Sequence, residues 1–139
     1  MGEEELRGAG YRISTEILEG LELFRGEGQE LLDWVLHSCA VRSLLPGAVL
    51  LAPGSHNDAL YIILAGRAQV KFTLDEPHSN IYLEAGECAG EMSIIEGAQP
   101  SAMVVAHSPC QVLVLDAEVI WTLIDRSPVV ARNLLHILS

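Results

Sequence analysis

Gly86-Glu87-Cys88-Ala89-Gly90-Glu91-Met92-Ser93-Ile94-Ile95-Glu96-Gly97-Ala98-Gln99-Pro100-Ser101-Ala102 passes from turn to helix to strand within one short stretch. Gly90 followed by Glu91 marks a sharp turn and then a helix start, where an acidic side chain suits the positive end of the helix dipole. The apolar turn through Ile94 and Ile95 closes on Gly97. Pro100-Ser101-Ala102 then leads into a β-branched run. The spacing predicts a short helix over Gly90–Ile95, a loop and a strand. The first backbone N–H groups of such a helix have no intrahelical partner, which makes that end attractive to an anion.

Outward from this stretch the chain is punctuated by turn residues. Pro46-Gly47 and Pro53-Gly54 bracket the apolar run Ala48–Ala52, and Leu60–Leu64, Ala68–Leu74 and Ile81–Leu83 follow as strands. Val104–Ala106 and Val112–Leu115 resume the pattern downstream. Short strands at intervals of about 8–12 residues predict an antiparallel sandwich or barrel. Before them, Ser14-Thr15 cap a short amphipathic helix carrying Ile17, Leu18, Leu21, Leu23 and Phe24, and Leu31 to Leu36 predict a second helix ending near Cys39. After them, Asp116 caps a helix through Ile124. Ser127-Pro128 opens a last one with proline at the favoured first position. That helix is still apolar at Ser139 and is expected to be cut short there. The fold class is α+β: an eight-stranded antiparallel jelly-roll β core (a double-stranded β-helix) flanked by N- and C-terminal helices. Residues 1–12, with Glu3-Glu4-Glu5 and Gly8-Ala9-Gly10, are expected to be a flexible N-terminus; 13–139 form one domain.

A chain of 139 residues, 50% apolar, is enough for one core. Its formal net charge of −11 disfavours nucleic acid and anionic membrane surfaces alike. Between Lys71 and Arg126 there is no lysine or arginine, while Asp75, Glu76, Glu84, Glu87, Glu91, Glu96, Asp116, Glu118 and Asp125 all fall inside. Cys39, Cys88 and Cys110 lack metal-ligand or disulfide spacing and are expected to fill the core. Neither a signal peptide nor an apolar run near ~18 residues is present, so the expected compartment is the cytoplasm.

The quoted stretch resembles the phosphate-binding cassette of cyclic nucleotide-binding domains, which runs Gly-Glu-x-x-Leu-Leu, a short loop, then Pro-Arg-x-Ala. Arg42–Gly54 is similar to that family's opening strands, and Asp58–Val70 to its Tyr-x-Ile/Val-x-x-Gly-x-Val strand pair. The resemblance extends over residues 17–139 and implies a ligand site at Gly90, Glu91, Met92, Ser93, Pro100, Ser101 and Ala102. Glu91 would accept from a ribose 2′-hydroxyl, and Ser101 would reach the phosphate. Pro100 stands where the family has its arginine, and it can donate nothing from side chain or backbone. A lost charge-assisted bond costs about 1.5–3 kcal/mol, and a bidentate guanidinium supplies two. At ~1.4 kcal/mol per tenfold, affinity for a cyclic nucleotide falls by about two or more orders of magnitude. Arg67 and Lys71 lie on a predicted strand facing solvent, and His78 and His107 sit at turns or strand ends.

The resemblance implies a ligand-sensing regulatory module of a bacterial signalling protein, closer to the N-terminal sensors of diguanylate cyclases than to those of transcription factors. An output domain would follow Ser139. The stripe Val130, Leu134, Leu135 and Leu138 would pair two copies into a homodimer. A ligand-free structural or dimerisation module of the same fold is the alternative. An enzyme on a cupin-like barrel would need a His-x-His pair with further ligands around a metal, and His37, His56, His78, His107 and His136 include no such pair. No catalytic residue and no metal ligand is expected.

Overall fold

Apolar side chains on both faces of one strand require cover on both sides. In β3 (Ala59–Ala65), Leu60 and Ile62 enter one core together with Leu113 and Leu115 of β8 (Cys110–Asp116). Ala59, Tyr61 and Ile63 enter a second core with Cys110 and Val112. The sheet holding these two strands is therefore buried on both faces. The computed structural model describes residues 13–72 and 81–139. The segment 1–12, Asp75, Glu76, His78 and the end of the strand predicted over Ala68–Leu74 lie outside them.

The first sheet runs β1-β8-β3-β6, with β1 at Ala40–Leu44 and β6 at Cys88–Ala89. The second runs β2-β7-β4-β5, with β2 at Val49–Leu51, β4 at Ala68–Lys71, β5 at Ile81–Leu83 and β7 at Met103–Ala106. Every pairing is antiparallel. Leu44, Leu51, Val70, Val104 and Ala106 fill the space between the sheets. On the second sheet burial alternates along β4 and β7, the mark of one covered face. Helices cover the other face of the first sheet: α1 (Thr15–Glu19), α2 (Gln29–Ser38), α4 (Ala117–Arg126) and α5 (Pro128–Leu138). Their buried residues Leu18, Leu32, Val35, Ile120, Leu123, Val130 and Leu134 complete the helical core. This is the expected α+β jelly roll with helices at both ends.

Local details differ from the sequence reading. The single helix expected over Ile17–Phe24 is α1 followed by a 3-10 turn at Glu22–Phe24, because Gly20 closes α1 by donating to the Ile17 and Leu18 carbonyls. β1 begins two residues after α2 ends, and β6 occupies two residues inside the quoted stretch. The short helix there, α3, is Glu91–Glu96. Caps fall as expected: Ser14 Oγ accepts from Ile17 N, Asp116 from Val119 N at 2.9 Å and Ser127 Oγ from Val130 N at 3.0 Å.

The apolar stripe of the last helix is a correction. Val130 and Leu134 are 1% and 4% exposed, packed into the helical core, and Leu138 lies half-buried against it. Leu135, at 66%, is the stripe residue that faces solvent. Asn133 Nδ2 holds α5 in place by donating to the carbonyls of Leu23 and Arg25, each at 2.9 Å. Val130 and Leu134, expected to meet a second copy, are packed in this chain's own core.

The β3–β4 turn leaves no room for a side chain. Gly66 has φ +90°, and a Cβ there would lie 2.1 Å from the Pro109 carbonyl oxygen. Gly66→Ala is expected to destabilise the fold by about 3 kcal/mol or more in urea unfolding. Gly28→Ala, at φ −88° with open space around its Cβ, costs under about 1 kcal/mol.

Candidate functional site

Gly90 fixes the site in place. Its φ is +92°, and a Cβ would fall 2.6 Å from the Ala59 carbonyl oxygen and 2.9 Å from Asn57 Nδ2. The same Nδ2 donates to the Ala59 carbonyl at 2.8 Å, so the loop leading into β3 is braced where it crosses beneath the start of α3. Ile94 then anchors α3 in the helical core and Ser93 is buried, while Met92 is turned outward at 45% exposure.

α3 and the loop after it cover a cavity of about 420 Å³. Gly90, Glu91, Met92, Ser93, Pro100, Ser101 and Ala102 all line it. The structure thus brings together every residue singled out in the sequence as a site position. Sequence reading missed the far wall: Leu51 of β2, Val70 of β4, Leu83 of β5, Ala89 of β6 and Val104 of β7. Alternating burial along β4 and β7 marks Val70 and Val104 as inward-facing, but only the strand order β2-β7-β4-β5 places Leu51, Val70, Leu83 and Val104 together opposite α3. Glu96, Ala98 and Gln99 form an exposed rim.

The cavity carries negative charge. Its charged lining residues among those described are Glu91 and Glu96. Burial pushes the Glu91 carboxyl above its usual range, partly offset by the hydrogen bond it accepts from its own backbone N–H. The Cys88 thiol is pushed up to about 12 by burial and then by the carboxylates of Glu91, Glu22 and Glu87, so it stays protonated.

The basic side chains are used elsewhere. Arg67 Nε donates to Glu84 Oε2 at 2.9 Å, and its guanidinium lies 4.0 Å from the centre of the Tyr82 ring. Lys71 follows Val70 on β4, so the pleat turns it to the opposite face. Arg42 stands beside the Tyr61 hydroxyl, and Arg126 lies 5.2 Å from the centre of the Trp34 ring. His107 is exposed and meets Tyr82 edge-on with ring centres 5.2 Å apart. Among the described residues no group of three or more His, Cys, Asp or Glu is arranged to hold a metal.

A second hollow of about 270 Å³ shares Leu83, Cys88 and Glu91 with the first and is closed by Glu22, Glu87, His136 and Ile137. The cavity beneath α3 and the end of α5 therefore have a wall in common.

Two antiparallel sheets with a cavity-covering helical insertion, and helices packed on one face, define a regulatory jelly roll. The chain belongs to the cyclic nucleotide-binding domain family, whose model matches residues 41–127. It is 31% identical over 124 residues to the cyclic AMP receptor protein of Thermus thermophilus, covering 88% of this chain and 57% of that protein. The chain thus spans little more than half the length of that relative. The crystal structure of the Thermus thermophilus catabolite activator protein superposes with a TM-score of 0.74 at 31% identity, covering 84% of this chain and 56% of that one. A regulatory subunit of a cAMP-independent protein kinase A from Trypanosoma cruzi, bound to guanosine, shares the fold. Its TM-score is 0.71 at 20% identity, over 84% of this chain and 41% of that one. No helix among the described residues is long and apolar enough to cross a membrane.

The upward shift of the Glu91 pKa has a sign that can be measured. Its ionised form is disfavoured in the folded state, so the cost is absent below the unfolded carboxylate pKa and complete above the raised folded one. Glu91→Gln is expected to raise the melting temperature at pH 7 by about 1–3 °C, with the gain fading by about pH 4. Thermal melts across that pH range check it.

Proposed function

We propose that the chain is the ligand-sensing module of a bacterial cytoplasmic signalling protein, with the cavity beneath α3 as its ligand site and α5 as its relay. The carrying observation is that seven cassette residues line one cavity whose wall, through Leu83, Cys88 and Glu91, also lines the hollow closed by the end of α5. Glu91 takes the ribose-side acceptor role and Ser101 the phosphate-side one. A ligand shifts α5 only by the difference in its affinity for two helix positions. The chain's 57% share of its Thermus relative supports an attached output domain. The Trypanosoma cruzi protein gives an instance of this fold holding a nucleoside.

Proline at position 100, together with the carboxylate lining, favours a second reading, a ligand-free structural or dimerisation module. A dimer contact on α5 would centre on the exposed Leu135, since Val130 and Leu134 are committed to the core.

Calorimetric titration with cyclic AMP, cyclic GMP and cyclic dinucleotides separates the readings. Cyclic mononucleotides are expected to bind weakly, to tighten about 100-fold in Pro100→Arg, and to be lost in Glu91→Ala. Indifference to both substitutions would place the ligand elsewhere. Heat-free titrations throughout, Pro100→Arg included, would support the structural module.

A further inference from the structure

We infer that the cavity beneath α3 takes an uncharged, hydroxyl-bearing ligand of nucleoside size and discriminates against the corresponding cyclic monophosphate. This rests on reading the cavity as the ligand site and adds the charge class of what enters it.

Two observations carry the inference. The described residues lining the cavity include two carboxylates, Glu91 and Glu96, and no lysine, arginine or histidine. Two basic side chains of the β3–β4 hairpin are turned to other uses: Arg67 is held by Glu84 and the Tyr82 ring, and Lys71 is turned away by the pleat of β4.

An anion entering this space loses hydration to a largely apolar wall and meets two like charges, with no lining cation to repay it. An uncharged diol behaves oppositely. Its hydroxyls donate to the Glu91 carboxylate, and bonds to an ionised acceptor are the stronger kind. Ser93, Gln99 and Ser101 offer neutral donors and acceptors, while Leu51, Val70 and Val104 suit the flat face of a base. The volume of about 420 Å³ lies within the range of small-molecule sites, roughly 300–1,000 Å³.

The test is calorimetric titration of the wild-type chain with adenosine, guanosine and their 3′,5′-cyclic monophosphates, at about 50 mM and about 500 mM salt. Each nucleoside is expected to bind at least about tenfold tighter than its cyclic monophosphate. Added salt should strengthen the cyclic monophosphates by screening the carboxylates and leave the nucleosides unchanged. Pro100→Arg, checked for folding by circular dichroism, should invert the order. Tighter binding of a cyclic monophosphate by the wild type overturns this inference and leaves the sensing reading intact. Silence toward all four probes overturns both. Tighter binding of an aromatic amine such as tryptamine overturns the uncharged class.

Discussion

The structure depends on one sheet being covered on both faces. β3 and β8 send alternate side chains into two separate cores, one shared with the helices and one with the second sheet. Each layer is thus held by the same pair of strands. A lost contact in β8 loosens helices and sandwich together, because Leu113 and Val112 are neighbours on one backbone but belong to different cores. At roughly 25 cal/mol per Å² of apolar surface buried, this double cover is the main stabilising contribution in the chain.

Charge is distributed as a consequence. Arg67 and Arg126 lie over aromatic rings, and Arg67 also pairs with the exposed Glu84, contacts individually worth little. The cavity interior is left to carboxylates, hydroxyls and aliphatic groups. Glu91 is the residue where these trends meet. It starts a helix, it is half-buried without a lining cation, and it touches both hollows.

Most of the fold was legible because its punctuation is chemical. Pro46-Gly47, Pro53-Gly54, the Asp116 cap and Ser127-Pro128 each state a boundary that the backbone obeys. Two short strands were harder to see. β1 follows α2 with hardly a gap, and β6 has two residues, too few for any alternation. The α5 stripe shows a deeper ambiguity: an amphipathic face reads the same whether its cover is its own core or another copy, and here Val130 and Leu134 are covered by the chain's own core while Asn133 bonds the carbonyls of Leu23 and Arg25. For the site, the near wall is contiguous in sequence and was visible. The far wall comes from four distant strands and Ala89, and depends on strand order, which local pattern does not encode.

The contrast between the root of α3 and its rim has an evolutionary consequence. Gly90 is wedged against Ala59 and Asn57, whereas Glu96, Gly97, Ala98 and Gln99 are exposed. Exposed positions absorb substitutions at small thermodynamic cost. Chemical selectivity in such a scaffold can drift quickly from one metabolite to another while the architecture stands still, and the same rim is where a protein engineer would begin a library.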